Sequence, residues 1–260
     1  MRLHLADSEP TGENTMRVLV AIPVFNEARY VEDVLREIIA QGHDVLVVDD
    51  GSTDETPEIL RRFSDIALIR HPENRGYGQS LIDAFAYASC KGYDWIITID
   101  CDEQHEPALI PAFVKCAARD DADIISGSRY MMKMPGNTDP PGDRRRINMT
   151  ITELLNQRLH LRLTDSFCGF KAYRISAMDL LCLTTPGYAF PLQFWVQAAR
   201  RRLRIRELPV PLIYNDPNRH FGGILDDPDA RLRHYLDVFE QEMARPACDE
   251  ARTVCAGNAS

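Results

Sequence analysis

The stretch RVLVAIPVFNEARYVEDVLREIIAQGHDVLVVDDGSTDET, residues 17–56, carries the reading of the fold. Arg17 to Ile22 is an aliphatic, β-branched run of strand length, and Asp44 to Val48 is a second one. Between them Val31, Val34, Leu35, Ile38 and Ile39 recur at helical spacing in a helix read from about Glu27 to Ala40, and Gly42 follows its end. Strand, amphipathic helix and strand in that order are the sequence form of a βα unit on a parallel sheet.

The alternation continues down the chain. It predicts a helix over Thr53–Phe63, a strand over Ile66–Ile69, a helix over Tyr77–Cys90, a strand over Trp95–Ile99, a helix over Pro107–Ala118 and a strand over Asp123–Ser126. Met131 to Asp143 is rich in Pro and Gly and reads as a loop. Helices near Arg145–His160 and Pro191–Arg201, a strand over Leu203–Ile213, a loop through Gly223 and a last helix carrying Leu232, Tyr235, Leu236, Phe239 and Met243 on one face complete the reading. Residues 1–15 and 246–260 read as polar or small-residue tails around one domain, 16–245.

Composition narrows the function. The chain has 260 residues, 45% hydrophobic and 27% charged, which excludes collagen-like and wholly disordered classes. A net charge of -9 argues against general binding of nucleic acid or any polyanion, which would need a local basic patch or a metal ion. Seven cysteines with no Cys-x-x-Cys spacing argue against a disulfide framework and predict a reduced, cytoplasmic protein. The longest uncharged stretch, Leu180 to Ala199, contains Pro186, Gly187 and Pro191 and does not read as a membrane-spanning helix. Peripheral attachment to a membrane surface is compatible with all of this.

In an open α/β sheet, ligands bind beyond the carboxyl ends of the strands. Those positions hold Pro23-Val-Phe-Asn-Glu27, Asp49-Asp-Gly-Ser-Thr-Asp54, Asn74-Arg-Gly-Tyr-Gly78 and Asp100-Cys-Asp-Glu-Gln-His105. Taken singly, each acidic group also suits a solvated turn or a helix N-cap. Two acidic clusters on one sheet edge repel unless a cation or sugar hydroxyls compensate, and together they favour a site. Asp100 and Asp102 can present two carboxylates to one Mg²⁺ or Mn²⁺ that shares substrate phosphate oxygens, with Gln104 or His105 as a further ligand. Neither a P-loop nor a Gly-x-Gly-x-x-Gly turn is present, so a diphosphate held through a metal points to a nucleotide-sugar.

The segments IPVFNE (22–27), VVDDGSTDET (47–56), NRGYGQSLIDAF (74–85), IDCDEQHEP (99–107), SGSRY (126–130) and DSFCGFKAYR (165–174) occur in this order. In this the chain resembles the inverting family 2 glycosyltransferases of GT-A fold, within them the dolichyl- or polyprenyl-phosphate mannosyltransferases and glucosyltransferases. The resemblance implies an α/β, Rossmann-like, mostly parallel central sheet flanked by helices. It implies transfer of mannose or glucose from a donor such as GDP-mannose or UDP-glucose to polyprenyl phosphate, with Mg²⁺ or Mn²⁺ as cofactor. It places Pro23, Phe25, Glu27, Val47, Asp49 and Asp50 around the nucleotide, and Asp100, Asp102 and Gln104 on the metal. Cys101 stands in that donor site where the group commonly has Ala.

By the same resemblance Arg129 meets the diphosphate or the acceptor phosphate, where a guanidinium can form two parallel hydrogen bonds. Arg219 and His220 lie near a basic residue of the mannosyltransferases, although Tyr214–Gly223 departs from their Arg-x-x-Gly-x-Ser-Lys pattern. Asp102, Arg129 and Asp165 are the expected catalytic residues, Asp165 near the acceptor. The alternatives are a GT-A enzyme with a soluble or glycan acceptor and a non-catalytic nucleotide-sugar-binding protein. The basic clusters Arg144–Arg146 and Arg200–Arg206 read either as solvated faces or as contacts to anionic lipid headgroups.

Overall fold

The computed structural model describes residues 16–102, 106–134, 137–138, 140–214 and 223–246. Among them lies one seven-stranded sheet in the order β3-β2-β1-β4-β6-β5-β7. Its strands are β1 (Val18–Val24), β2 (Asp44–Asp49), β3 (Ile66–Arg70), β4 (Trp95–Thr98), β5 (Ile124–Ser128), β6 (Lys171–Arg174) and β7 (Ile205–Pro209). Strands β1 to β4, and β5 with β7, pair in parallel, whereas β6 runs antiparallel to both its neighbours, β4 and β5. The fold class expected from the sequence is the one observed.

Successive side chains of a strand point to opposite faces, and here both faces are covered, which is why the central strands are apolar throughout. Leu19, Ala21, Leu46, Val48 and Ile96 face one way and pack with residues of α3 (Tyr77–Cys90), α5 (Gly142–Leu159), α7 (Phe190–Arg200) and α8 (Pro228–Ala244). Val18, Val20, Ile22, Val45, Val47, Trp95 and Ile97 face the other way, against α1 (Val31–Ile39), α2 (Thr56–Leu60) and α4 (Ile110–Ala117). A short α6 (Ile175–Met178) follows β6.

Several elements differ from the sequence reading. Helix α1 starts at Val31 rather than Glu27, because Asn26 adopts a left-handed φ of 55° and residues 27–30 form a turn. The strand expected over Leu203–Ile213 shortens to Ile205–Pro209, since a proline has no N–H to donate to a ladder. Strand β6 went unread, as KAYR offers only Ala172 and Tyr173 as apolar signal and gains its identity from pairing with β4 and β5. Cys90, Cys101, Cys116 and Cys168 are free, but Cys182 is disulfide-bonded. The expectation of an all-thiol chain is thereby corrected at that one cysteine, whose partner lies outside the described residues. The expected tails fall almost wholly outside those residues as well. Among them no helix is long and apolar enough to cross a membrane.

The turn after β2 shows what the fold asks of one residue. Gly51 has φ +75°, and a Cβ there would lie 2.7 Å from the Asn74 backbone nitrogen. Both the backbone conformation and the close approach of the loop after β3 require glycine. Gly51→Ala is expected to cost more than about 1 kcal/mol of stability, read as a lowered midpoint in denaturant unfolding.

Candidate active site

The C-terminal ends of β1, β2 and β4 open onto a cavity of about 840 Å³. Its walls include Pro23, Phe25 and Glu27 after β1, Asp50 after β2, Tyr77 at the start of α3, Asp100, Cys101 and Asp102 after β4, and Arg129 after β5. A cavity of this size lies within the range of small-ligand sites, roughly 300–1,000 Å³.

The first wall is latched by side-chain-to-backbone hydrogen bonds between two loops. The Asn26 backbone N–H donates to Ser52 Oγ at 2.9 Å, and Asn26 Oδ1 accepts from the Thr53 N–H at 2.8 Å. Glu27 N–H donates to Thr56 Oγ1 at 2.9 Å and Ala28 N–H to Asp54 at 3.1 Å. The loop after β1 is thus fixed on the DDGSTDET turn, and Phe25 stands on the rim, 43% exposed.

Asp49 and Asp50 behave differently from each other. Asp49 is fully buried, accepts from the Ser52 N–H at 2.9 Å, lies 3.2 Å from Arg70 Nε, and does not line the cavity. Val47 lies with it inside the sheet. Asp50 lines the cavity, but its carboxylate is engaged by the backbone N–H groups of Arg75 and Gly76, both at 2.8 Å, and by His71 Nδ1 at 2.6 Å. His71 Nε2 lies 2.8 Å from Asp83. Asp50 therefore organises the Asn74–Gly76 loop from which α3 begins.

Asp100 is positioned by a phenol and a missing side chain. Tyr77 Oη donates to Asp100 Oδ1 at 3.0 Å, and a Cβ on Gly169 would fall on the Asp100 carboxylate. The Gly in Cys168-Gly169-Phe170 is thus a close-approach glycine. Burial, then the neighbouring Asp100 charge, raises the Tyr77 phenol well above its ordinary value, so it stays a donor. Tyr188 stacks on Tyr77 with ring centroids 5.9 Å apart and also lines the cavity.

Arg129 is held by Asp165. Its Nε donates to Asp165 Oδ2 at 2.7 Å and Nη2 to Oδ1 at 3.0 Å, a bidentate pair. Asn148 Nδ2 at 2.8 Å and the Phe167 N–H at 3.1 Å complete Oδ1, and the Arg129 N–H reaches Oδ2 at 3.2 Å. Burial alone would push the Asp165 carboxyl up, but the Arg129 charge and the hydrogen bonds outweigh it and hold it far below the usual carboxylate range. Asp165 is wholly buried, does not line the cavity, and has its oxygens committed. Asp165 therefore orients Arg129, which does line the cavity, and does not face the cavity itself.

Gln104, Arg219 and His220 lie outside the described residues. Sequence reasoning missed Asn26, Tyr188, Asn148 and the buried Arg231 of α8, all of which line the cavity. Asn26 and Asn148 act through hydrogen bonds to distant segments, and Tyr188 and Arg231 arrive from parts of the chain where no motif marks them.

The model of glycosyl transferase family 2 matches residues 19–181. The chain belongs to that family. It is similar to an undecaprenyl-phosphate mannosyltransferase of Micrococcus luteus, 30% identical over 82% of this chain and 90% of that protein. It is also similar to a polyprenol monophosphomannose synthase of Mycolicibacterium smegmatis, 28% identical over 77% and 78%. Among solved structures, glucosyl-3-phosphoglycerate synthase of Mycobacterium tuberculosis, crystallised with Mn²⁺, UDP and phosphoglyceric acid, matches with a TM-score of 0.68 at 19% identity, over 89% of this chain and 80% of that one. This family 2 glycosyltransferase therefore has the GT-A fold, and its cavity lies where that fold's sheet opens.

The Arg129–Asp165 pair makes a measurable demand on the glycosyltransferase. Removing one partner of a buried pair leaves the other charge uncompensated, at a cost of about 3–5 kcal/mol, so Asp165→Asn is expected to unfold at markedly lower temperature. Because folding depresses this carboxyl, its contribution is fully present above the unfolded value of about 3.9 and is lost as pH falls below it. Urea titrations between pH 7 and 3 are expected to give a wild-type stability that falls at the acid end, and a flatter curve for Asp165→Asn.

Proposed function

We propose that the protein transfers a hexose, mannose or glucose, from a nucleotide-diphospho-sugar to a polyprenyl phosphate with inversion at the anomeric carbon. The observation that carries the reading is that two carboxylates, Asp100 and Asp102, and a permanently charged arginine, Arg129, line one cavity beside the Pro23–Glu27 and Asp50 loops. The likeness to polyprenyl-phosphate mannosyltransferases over most of both chains supports the acceptor.

A divalent ion suits the donor set. Among the described residues no cluster of three or more His, Cys, Asp or Glu side chains is grouped for a metal. Mg²⁺ and Mn²⁺ need only one or two protein carboxylates when phosphate oxygens and water fill the shell, and Asp100 and Asp102 are hard oxygen ligands of that kind. Gln104 is the proposed third ligand. When bound, the ion would neutralise charge on the departing diphosphate.

The rest of the chemistry falls to the chain. Phe25 and Pro23 would wall the base, with Glu27 and Asp50 accepting hydrogen bonds from the base and ribose. Val47 and Asp49 would shape that pocket from beneath rather than touch the donor. Cys101, between the two acids, would border the diphosphate, and Arg219 and His220 would lie toward the sugar or acceptor. Arg129, with its Nε and one Nη2 N–H given to Asp165, would hold phosphate oxygens of the donor or acceptor through its other Nη N–H groups. A phosphate oxygen of the acceptor then forms the new bond to the anomeric carbon while the bond to the diphosphate breaks and its electron pair leaves with the nucleotide. The attacking phosphate is already ionised and loses no proton, so the mechanism requires positioning and charge stabilisation and no general base.

The test incubates the purified protein with Mn²⁺, either GDP-mannose or UDP-glucose, and either a polyprenyl phosphate or phosphoglyceric acid. One donor is expected to yield glycosylated lipid. Transfer to the soluble acid alone would replace the acceptor assignment with the soluble-acceptor alternative, and donor binding without any transfer would favour a non-catalytic binder. Asp102→Asn and Arg129→Lys are each expected to lower kcat/KM by roughly 10²–10³, the range for losing one stabilising group at developing charge. Asp102→Asn is also expected to abolish the Mn²⁺-dependent part of the thermal shift given by the nucleoside diphosphate.

A further inference from the structure

Two basic clusters break the acidic character of this chain, and the structure treats them in opposite ways. Arg204 and Arg206 flank Ile205, the first residue of β7, at the amino-terminal edge of the sheet and away from the cavity. Arg204 is bidentate with Asp123 and Arg206 with Asp121, while Arg200 donates to the backbone carbonyls of Met243 and Arg245. These arginines are committed to the protein's own acids and carbonyls.

The cluster Arg144-Arg145-Arg146 lies instead in the first turn of α5, at the cavity. Arg144 lines it, and Arg145 and Arg146 are exposed. The acid of the same turn, Asp143, is taken by buried Arg231 at 2.6 Å, and Asp229 lies 3.6 Å from Arg146. Beside this turn the chain leaves β5 through a bend closed by Ser128, whose Oγ accepts the N–H groups of Tyr130 at 3.3 Å and Met131 at 3.1 Å. The Arg129 and Arg145 guanidinium carbons lie 5.8 and 5.7 Å from the Tyr130 ring centre, which ties the bend to α5.

What the bend presents is unusual for a surface turn. Met131 and Met132 are 51% and 55% exposed, Lys133 follows them, and Met149, one helical turn beyond Arg145, is 58% exposed. Long apolar side chains flanked by cations at the mouth of a cavity match the chemistry of an anionic bilayer, with methionines among the acyl chains and guanidinium groups at the phosphates. We infer that Met131, Met132, Lys133, Arg145 and Met149 form a docking surface for an anionic lipid bilayer, setting the cavity mouth against the membrane from which the acceptor phosphate enters. The inference rests on the polyprenyl phosphate reading for its purpose, but its evidence is this surface.

The experiment is flotation of the full chain with vesicles of phosphatidylcholine alone or phosphatidylcholine mixed with phosphatidylglycerol. Wild type is expected to float with the anionic vesicles only, less so as salt rises. Arg145→Gln and Lys133→Gln are each expected to weaken binding about five-fold, from about 1 kcal/mol per basic residue near the surface. Met131→Ser with Met132→Ser is expected to weaken it further without changing the salt dependence. Failure of wild type to bind, or binding unaltered in these variants, would overturn the proposal. So would a concentration-dependent dimer that the methionine variants dissolve, since a second copy would then be the occupant. Transfer to a short-chain, water-soluble polyprenyl phosphate reads the enzymatic proposal separately. Its absence with vesicle binding intact defeats that reading alone, and its presence without vesicle binding defeats the docking surface alone.

Discussion

A single carboxylate with no access to water organises the half of the molecule that follows β5. Asp165 accepts from Arg129 after β5, Asn148 on α5 and the Phe167 N–H in its own loop. The same segment is gripped from β7, where Glu207 accepts from the Thr164 and Asp165 N–H groups. An ionised carboxylate is tolerated in such a place only when every lone pair has a partner. That condition brings three separate segments into one arrangement, and Glu207 ties β7 to the same loop. The guanidinium is fixed at the same time: burial alone would lower it, the Asp165 charge outweighs that, and Arg129 stays charged. A cation of fixed charge and fixed plane at the cavity wall follows from satisfying one acid.

The first acidic pair illustrates a different solution at the other end of the sheet edge. Two adjacent aspartates suggest mutual repulsion that a ligand relieves, yet the fold relieves most of it unaided. Arg70 lies against Asp49, and His71 and two backbone N–H groups against Asp50, all from the segment Arg70–Gly76 that ends β3 and follows it. The acids of β2 thereby serve to carry the β3–α3 loop across the edge of the sheet and to aim Tyr77 at Asp100. Charge in the motif is structural at its first residue and faces the cavity at its second. Sequence alone does not separate the two, because alternation along a strand places neighbours on opposite faces only once the strand's end is known.

Legibility divides along the same line. The parallel strands β1 to β5 and helix α3 follow from local patterns of apolar residues, and the cavity lies where strand ends in such a sheet must put it. Asp100, Asp102 and Arg129 stood out because acidic and basic residues at strand ends have few purely local reasons to be there. The pairing of Asp165 is not legible, since nothing near it in the chain reveals that Arg129, thirty-six residues earlier, engages its oxygens. Strand β6 was invisible for a related reason. Its four residues carry Lys171 and Arg174 at the ends, and only contacts with β4 and β5 make them a strand.

That unread strand is what completes the site. Inserted antiparallel between β4 and β5, β6 runs away from the cavity edge, so the loop leading into it must cross that edge where β4 and β5 end. The crossing segment is Asp165–Phe170, and its register is set by Thr98 donating to the Gly169 carbonyl at 2.7 Å. Glycine at 169 lets this backbone pass against the Asp100 carboxylate, and Asp165, four residues earlier, reaches Arg129. One reversal of strand direction thus brings the acidic end of β4 and the basic end of β5 onto a common support. A parallel strand in the same place would present its amino-terminal end at the far edge and leave the two ends with no shared loop beneath them.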